Sequence, residues 1–152
     1  MLPRLWILLH LVFAFSFVGS LVVAEWMGRA ARATEDWGHR ALLFGIASRS
    51  GRLAGLVPLL LAGLLGNLAA VATGRRMAED VWLRWVNGLW LAAVLVMLAV
   101  TLPAASRLAA LAGSGGAREG YTPALAKWRL GNAALGALYL ALLVLMVWAR
   151  PA

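Results

Sequence analysis

Four stretches of this chain, residues 5–24, 53–74, 85–106 and 130–149, each run for at least 20 residues without one Asp, Glu, Lys or Arg. At about 1.5 Å of rise per residue, each is long enough as a helix to cross a hydrocarbon core of about 30 Å. Only helices and closed barrels satisfy every backbone N–H and C=O in lipid, and these runs are continuously apolar rather than alternating. The expected fold is therefore all-α, an integral membrane four-helix bundle. It forms a single polytopic domain over 1–152, with spans at about 4–27, 51–73, 82–105 and 124–149. The runs hold more than half of the chain, which leaves no segment for a separate soluble domain.

Charge and composition remove whole classes of function. The net charge of +8 comes from thirteen arginines and one lysine. These lie between the apolar runs, where guanidinium groups meet lipid phosphates, so the lipid bilayer rather than nucleic acid is the expected partner. Cysteine is absent, which excludes disulfides, thiolate metal sites, iron–sulfur clusters and cysteine nucleophiles. No HExxH, Walker A, GxGxxG or GxSxG pattern occurs, so a soluble-enzyme mechanism has no residues to run on.

Several features bound the spans. Trp6 and Trp26 stand twenty residues apart, as do Trp128 and Trp148, the spacing of two interfacial aromatic belts about 30 Å apart. In the first connection, Thr34 is placed to cap a short interfacial helix carrying Trp37, Leu42, Leu43, Phe44 and Ile46. Thr122-Pro123 reads as the cap and first turn of the fourth span. Arg4, an apolar stretch and Val22-Val23-Ala24 before Glu25 also fit a cleavable leader, but the reading taken is a retained span. Five Arg residues flank the spans at the termini and second connection, against nine Arg and Lys in the first and third. This bias places both termini outside and the first and third connections in the cytoplasm.

Chemistry has few carriers. His10, in LWILLHLVFAF, is the one ionisable side chain inside the runs apart from Tyr139. Buried ionisable groups are the default functional suspects in a span. On a helix His10 shares a face with Phe13, Ala14, Phe17 and Leu21, whereas Ser16, Gly19, Ser20 and Val23 fall on another. An imidazole flanked by Phe13 and Phe17 suits a haem wall or another flat ligand. It equally suits a packing histidine that donates to a carbonyl, or to Asn67, Asn87, Thr101, Asn132 or Tyr139, on a neighbouring helix. His39 lies in the first connection, so a bis-histidine haem within one chain is disfavoured. Met97 and Met146 are explained by packing before ligation. The small residues Ser16, Gly19, Ser20, Gly51, Gly55, Gly63 and Gly66, with Asn67, are the expected helix-packing positions, since close backbone approach drives association in lipid.

The opening LHLVFAFSFVG resembles the first span of a group of small bacterial four-span membrane proteins. That group includes the copper-resistance-D-type proteins, the HemJ-type protoporphyrinogen oxidases and relatives of unassigned activity. The third span, WVNGLWLAAVLVMLAVTLPAASRLAALA, and the ending LVLMVWARP are similar to that group as well, so the likeness in layout covers nearly the whole chain. The resemblance implies a four-helix bundle in the bacterial cytoplasmic membrane. In the HemJ-type members it also implies a first-span histidine that binds haem b and takes part in porphyrinogen oxidation. His10 alone carries over. Those members continue with a Pro-Arg-Leu-Phe stretch, where this chain has SLVVAEWMGRA, so the oxidase positions are missing.

Two functions follow as expectations. The first is a small, non-catalytic integral subunit or accessory protein packing against a larger respiratory or electron-transfer complex, with other membrane subunits as partners. The alternative is a haem-b-binding membrane oxidoreductase with His10 as axial ligand.

Overall fold

The computed structural model describes residues 2–76, 79–115 and 118–148. Among these it is all-α, with α1 over Leu2–Ala33, α2 over Trp37–Ala72, α3 over Val81–Gly113 and α4 over Arg118–Val147. All four are long and apolar enough to cross a membrane. They pack as an up-and-down bundle in which each helix lies against the next along the chain.

The expected interfacial helix is instead the straight beginning of α2, and only Thr34, Glu35 and Asp36 separate α1 from α2. Asp36, not Thr34, is the cap, its carboxylate accepting from the Gly38 N–H at 2.8 Å. Thr34 instead turns the link, accepting from the Asp36 N–H and, through its carbonyl, from the Arg40 guanidinium. At the other end, α4 begins at Arg118 and not at Thr122-Pro123, so Pro123 lies in the second turn, where its missing N–H leaves one helical carbonyl without its usual donor. With 36 residues, α2 is about 54 Å long, well beyond the roughly 30 Å of a hydrocarbon core. The excess lies at the end carrying the first and third connections.

The interior accordingly has two zones. Phe17, Leu59, Ala93, Met97, Leu102 and Leu135 pack together at the level of the apolar runs. A second cluster at the connection end is built on Ala31, Phe44, Leu108, Tyr121 and Trp128. Trp128 is here a core residue and not a belt: it is 1% exposed, lies against Gly28 and meets Phe44 edge-on at 5.6 Å. Gly28 explains the difference, because any side chain there would occupy the space of the indole. Trp26 and Trp148 do stand outside the bundle, at 67% and 81% exposure.

Both central helices widen in mid-course. The Val57 N–H reaches back five residues to the Arg52 carbonyl, and Leu102 does the same to Met97. Each wide turn stands just before a proline, Pro58 or Pro103, whose ring would otherwise crowd the carbonyl four residues back. The two wide turns face each other. Gly51 and Gly55 of α2 receive the side chains of Leu102 and Met97 from α3. On the connection side of this level α2 and α3 are closely packed, and on the other side they diverge.

The α2–α3 turn restores the antiparallel path. Gly74 takes a φ of +81°, and the Arg75 N–H returns to the Ala70 carbonyl at 3.0 Å, a glycine-ended helix stop. Asp80 caps α3 by accepting from the Leu83 N–H, and its other oxygen lies 2.6 Å from the Arg75 guanidinium.

Candidate functional site

Where α2 and α3 diverge, all four helices line a half-open cavity of about 330 Å³. That falls at the small end of ligand pockets, roughly 300–1,000 Å³. Its walls are mainly apolar, and its polar groups include His10, Asn67, Thr73, Arg75, Asn87 and Tyr139.

His10 has a fixed orientation. Its Nδ1 lies 2.7 Å from the Ala62 carbonyl oxygen of α2. A carbonyl only accepts, so Nδ1 carries the proton and Nε2 of the neutral ring carries the lone pair. Gly66, one turn after Ala62, makes room for this: a Cβ there would stand 3.0 Å from Nδ1 and 3.1 Å from Cε1. The packing contact expected of a span histidine is therefore made, and of the partners considered it is the backbone carbonyl, not an Asn, Thr or Tyr side chain, that takes it. It consumes one nitrogen. Nε2 has no hydrogen-bond partner among the described residues.

The asparagines expected as partners of His10 bind each other. Asn67 Nδ2 donates to Asn87 Oδ1 at 2.8 Å, and Asn87 Nδ2 donates back to Asn67 Oδ1 at 3.0 Å. The second amide proton of each goes to its own helix, at Gly63 and Leu83. All four donors are thus used, and the pair bridges the gap between α2 and α3. Trp90 makes a second bridge, donating from Nε1 to the Leu59 carbonyl at 2.8 Å while its ring covers Gly63. Trp82 donates to the Leu145 carbonyl of α4 and lies under the Arg75 guanidinium, 5.4 Å from the ring. Trp82 and Trp90 carry no sign of a site in the sequence, because their partners are backbone carbonyls and a glycine. Arg75 and Tyr139 are held by side chains instead, Arg75 by Asp80 and Trp82 and Tyr139 by the Phe17 ring, and those pairings depend on the turn and on the helix register.

The remaining candidates divide. Phe17 is buried, lines the cavity and stands 6.3 Å from the Tyr139 ring; Phe13 is half-buried and is not part of the wall. Ser20 is buried beside Gly55 and bonds back to the Phe17 carbonyl. Ser16 and Gly19 do not pack: Ser16 is exposed and bonded to the Val12 carbonyl, and a Cβ on Gly19 would meet nothing within 4 Å. The inward face of α1 is thus one seam through His10, Phe17, Ser20, Ala24, Gly28 and Ala31. Ser20 belongs to it and Gly19 points almost opposite at about 100° per residue. Met146 lines the cavity, whereas Met97 is buried against Gly51 and Gly55. His39 is exposed in the first turn of α2, at the far end of the bundle from His10.

Tested against a haem-type ligand, these residues fit in part. One imidazole nitrogen is anchored and the other spare, the usual arrangement of a ligating histidine. Phe17 and Trp90 offer aromatic cover, whereas Arg75, in the wall beside the α2–α3 turn, is already held on the Asp80 carboxylate. No group of three or more His, Cys, Asp or Glu is assembled among the described residues.

Comparison with protein-family models, curated proteins and solved structures finds no match.

Proposed function

We propose that this chain is a small multi-pass subunit of the bacterial cytoplasmic membrane that holds a flat, lipophilic ligand in the His10 cavity. The observation that carries this reading is the bond from His10 Nδ1–H to the Ala62 carbonyl, which orients the ring and leaves the Nε2 lone pair unused. Haem b is the ligand that the resemblance implies, and when bound it supplies one-electron redox chemistry. A quinone accepts the same apolar walls. The protein's part is to bind and orient. Trp82, Trp90, Asn67 and Asn87 spend their donors on each other or on backbone, so they shape the cavity and hold no proton ready for transfer. This supports a binding role over an enzymatic one.

The accessory-subunit part of the reading is supported by the outward face of α1. Ser16 and Gly19 form a small, unfilled patch there, to which another subunit's helix can come close. The arginine and lysine bias supports termini on the periplasmic side.

Absorption spectroscopy on detergent-purified protein tests the ligand. A Soret band lost in His10→Ala supports haem, and an extractable quinone lost in the same variant supports the broader reading. A preparation with neither overturns it. Co-purification with larger partners in mild detergent tests the subunit role, and a lone chain under those conditions counts against it.

A further inference from the structure

The first and last helices, α1 and α4, meet through Phe17 with Tyr139 and through Gly28 with Trp128. Between these two contacts lies a groove of about 670 Å³, lined by Leu21 and Glu25 from α1 and by Ala126, Arg129, Asn132 and Gly136 among others from α4. Its floor is made of small residues, and a Cβ on Gly136 would meet nothing within 4 Å. Asn132 is anomalous: its amide nitrogen and oxygen are both buried and neither has a hydrogen-bond partner. A buried amide without a partner calls for one.

The groove also has a direction. Its Leu21 and Gly136 end lies within the charge-free runs, and its Glu25 and Arg129 end lies where the cations begin. Glu25, the one carboxylate in the lining, is held 3.1 Å from Arg29 and 3.8 Å from Arg32. Two guanidinium groups thus answer one acid, and Arg129 adds a further positive charge at the rim.

We propose that this groove holds one anionic glycerophospholipid, with its phosphate on Arg129, an ester oxygen on the Asn132 amide and an acyl chain along Ala133 and Gly136. Such a lipid supplies the negative charge, the acceptor and the apolar tail that the lining lacks. The site is separate from the His10 cavity and does not depend on what that cavity binds.

Native mass spectrometry of the full chain, presented with phosphatidylglycerol or phosphatidylcholine of matched acyl chains, is the test. One phosphatidylglycerol is retained per chain, in preference to phosphatidylcholine. Arg129→Gln weakens that retention about fivefold, the effect of one basic residue at an anionic surface. Ala133→Trp fills the groove and abolishes it, and Gly136→Leu serves if that variant does not fold. Arg84→Gln, in the first turn of α3 at the opposite end of the bundle, changes nothing. Equal retention of the two lipids overturns the proposal. So does retention indifferent to Arg129→Gln and to groove filling, or a two-chain species that excludes lipid.

Discussion

Trp90 of α3 covers Gly63 of α2 and, from the same ring, donates to the Leu59 carbonyl one turn away. The glycine and the hydrogen bond are one arrangement, because a methyl group at position 63 would occupy the indole's space. Gly63→Ala should therefore displace Trp90, break its bond and cost about 1–3 kcal/mol as an overpacked interface. Thermal unfolding in mild detergent measures this. The double variant with Trp90→Phe should recover part of the loss, and additive effects would refute the coupling.

The Asn67–Asn87 pair makes a prediction of non-additivity. Asn67→Leu leaves Asn87 with a donor and an acceptor short of a partner, whereas replacing both removes the unmet groups together. The single variant should lose about 1–2 kcal/mol, and the double variant no more than the single. Melting temperatures of the four proteins in one detergent decide it.

At the connection end, Trp128 is fully enclosed against Gly28 and Phe44. Trp128→Ala should cost about 3–5 kcal/mol, the range for emptying a large aromatic site. Gly28→Leu should destabilise as well, by expelling the indole. Neither change touches the His10 cavity, so ligand retained per folded chain should stay constant. A loss of ligand from folded protein would show that the two zones are coupled.

The Arg75–Asp80 pair makes stability depend on pH. The hydrogen bond from Arg75 holds the Asp80 carboxyl below its ordinary value, with the capped Leu83 N–H adding to the effect. A carboxylate with a depressed folded-state pKa contributes stability above its unfolded value of about 3.9 and loses it as pH falls through the folded one. Melting temperature should thus fall as pH drops below about 4. Asp80→Asn keeps the cap but not the charge, so it should melt lower at neutral pH and show a flatter acid limb. An unchanged limb would place the acid response elsewhere.

How much of this was legible in the sequence depends on the kind of contact. The four charge-free runs predict the four helices because length and continuous apolarity are properties of the chain itself. The extension of α2 back to Trp37 is harder to read. Arg40, Arg49 and Arg52 look like a loop's charges, yet a helix can carry such residues on its solvent side while Phe44 and Ala47 face inward. Trp128 reads as a belt residue until Gly28 is seen opposite it. His10 is conspicuous as a residue, but its partner is the carbonyl of an alanine, and every residue has a carbonyl. The Asn67–Asn87 pairing needs the register of α2 against α3, and that register is set by the two wide turns.

Those wide turns have one more consequence. Each adds a residue to the usual turn, so the part of the helix beyond it is rotated by about 100° relative to an uninterrupted α-helix. In α2 this puts Phe44 and Ala47 toward the aromatic end, and Gly63, Gly66 and Asn67 toward the cavity, although the two sets are out of phase by simple counting. Removing a single residue from 51–56 would restore the count and turn Asn67 away from Asn87 and Gly66 away from His10. A one-residue deletion there should thus dismantle the cavity while leaving every one of its lining residues in the chain.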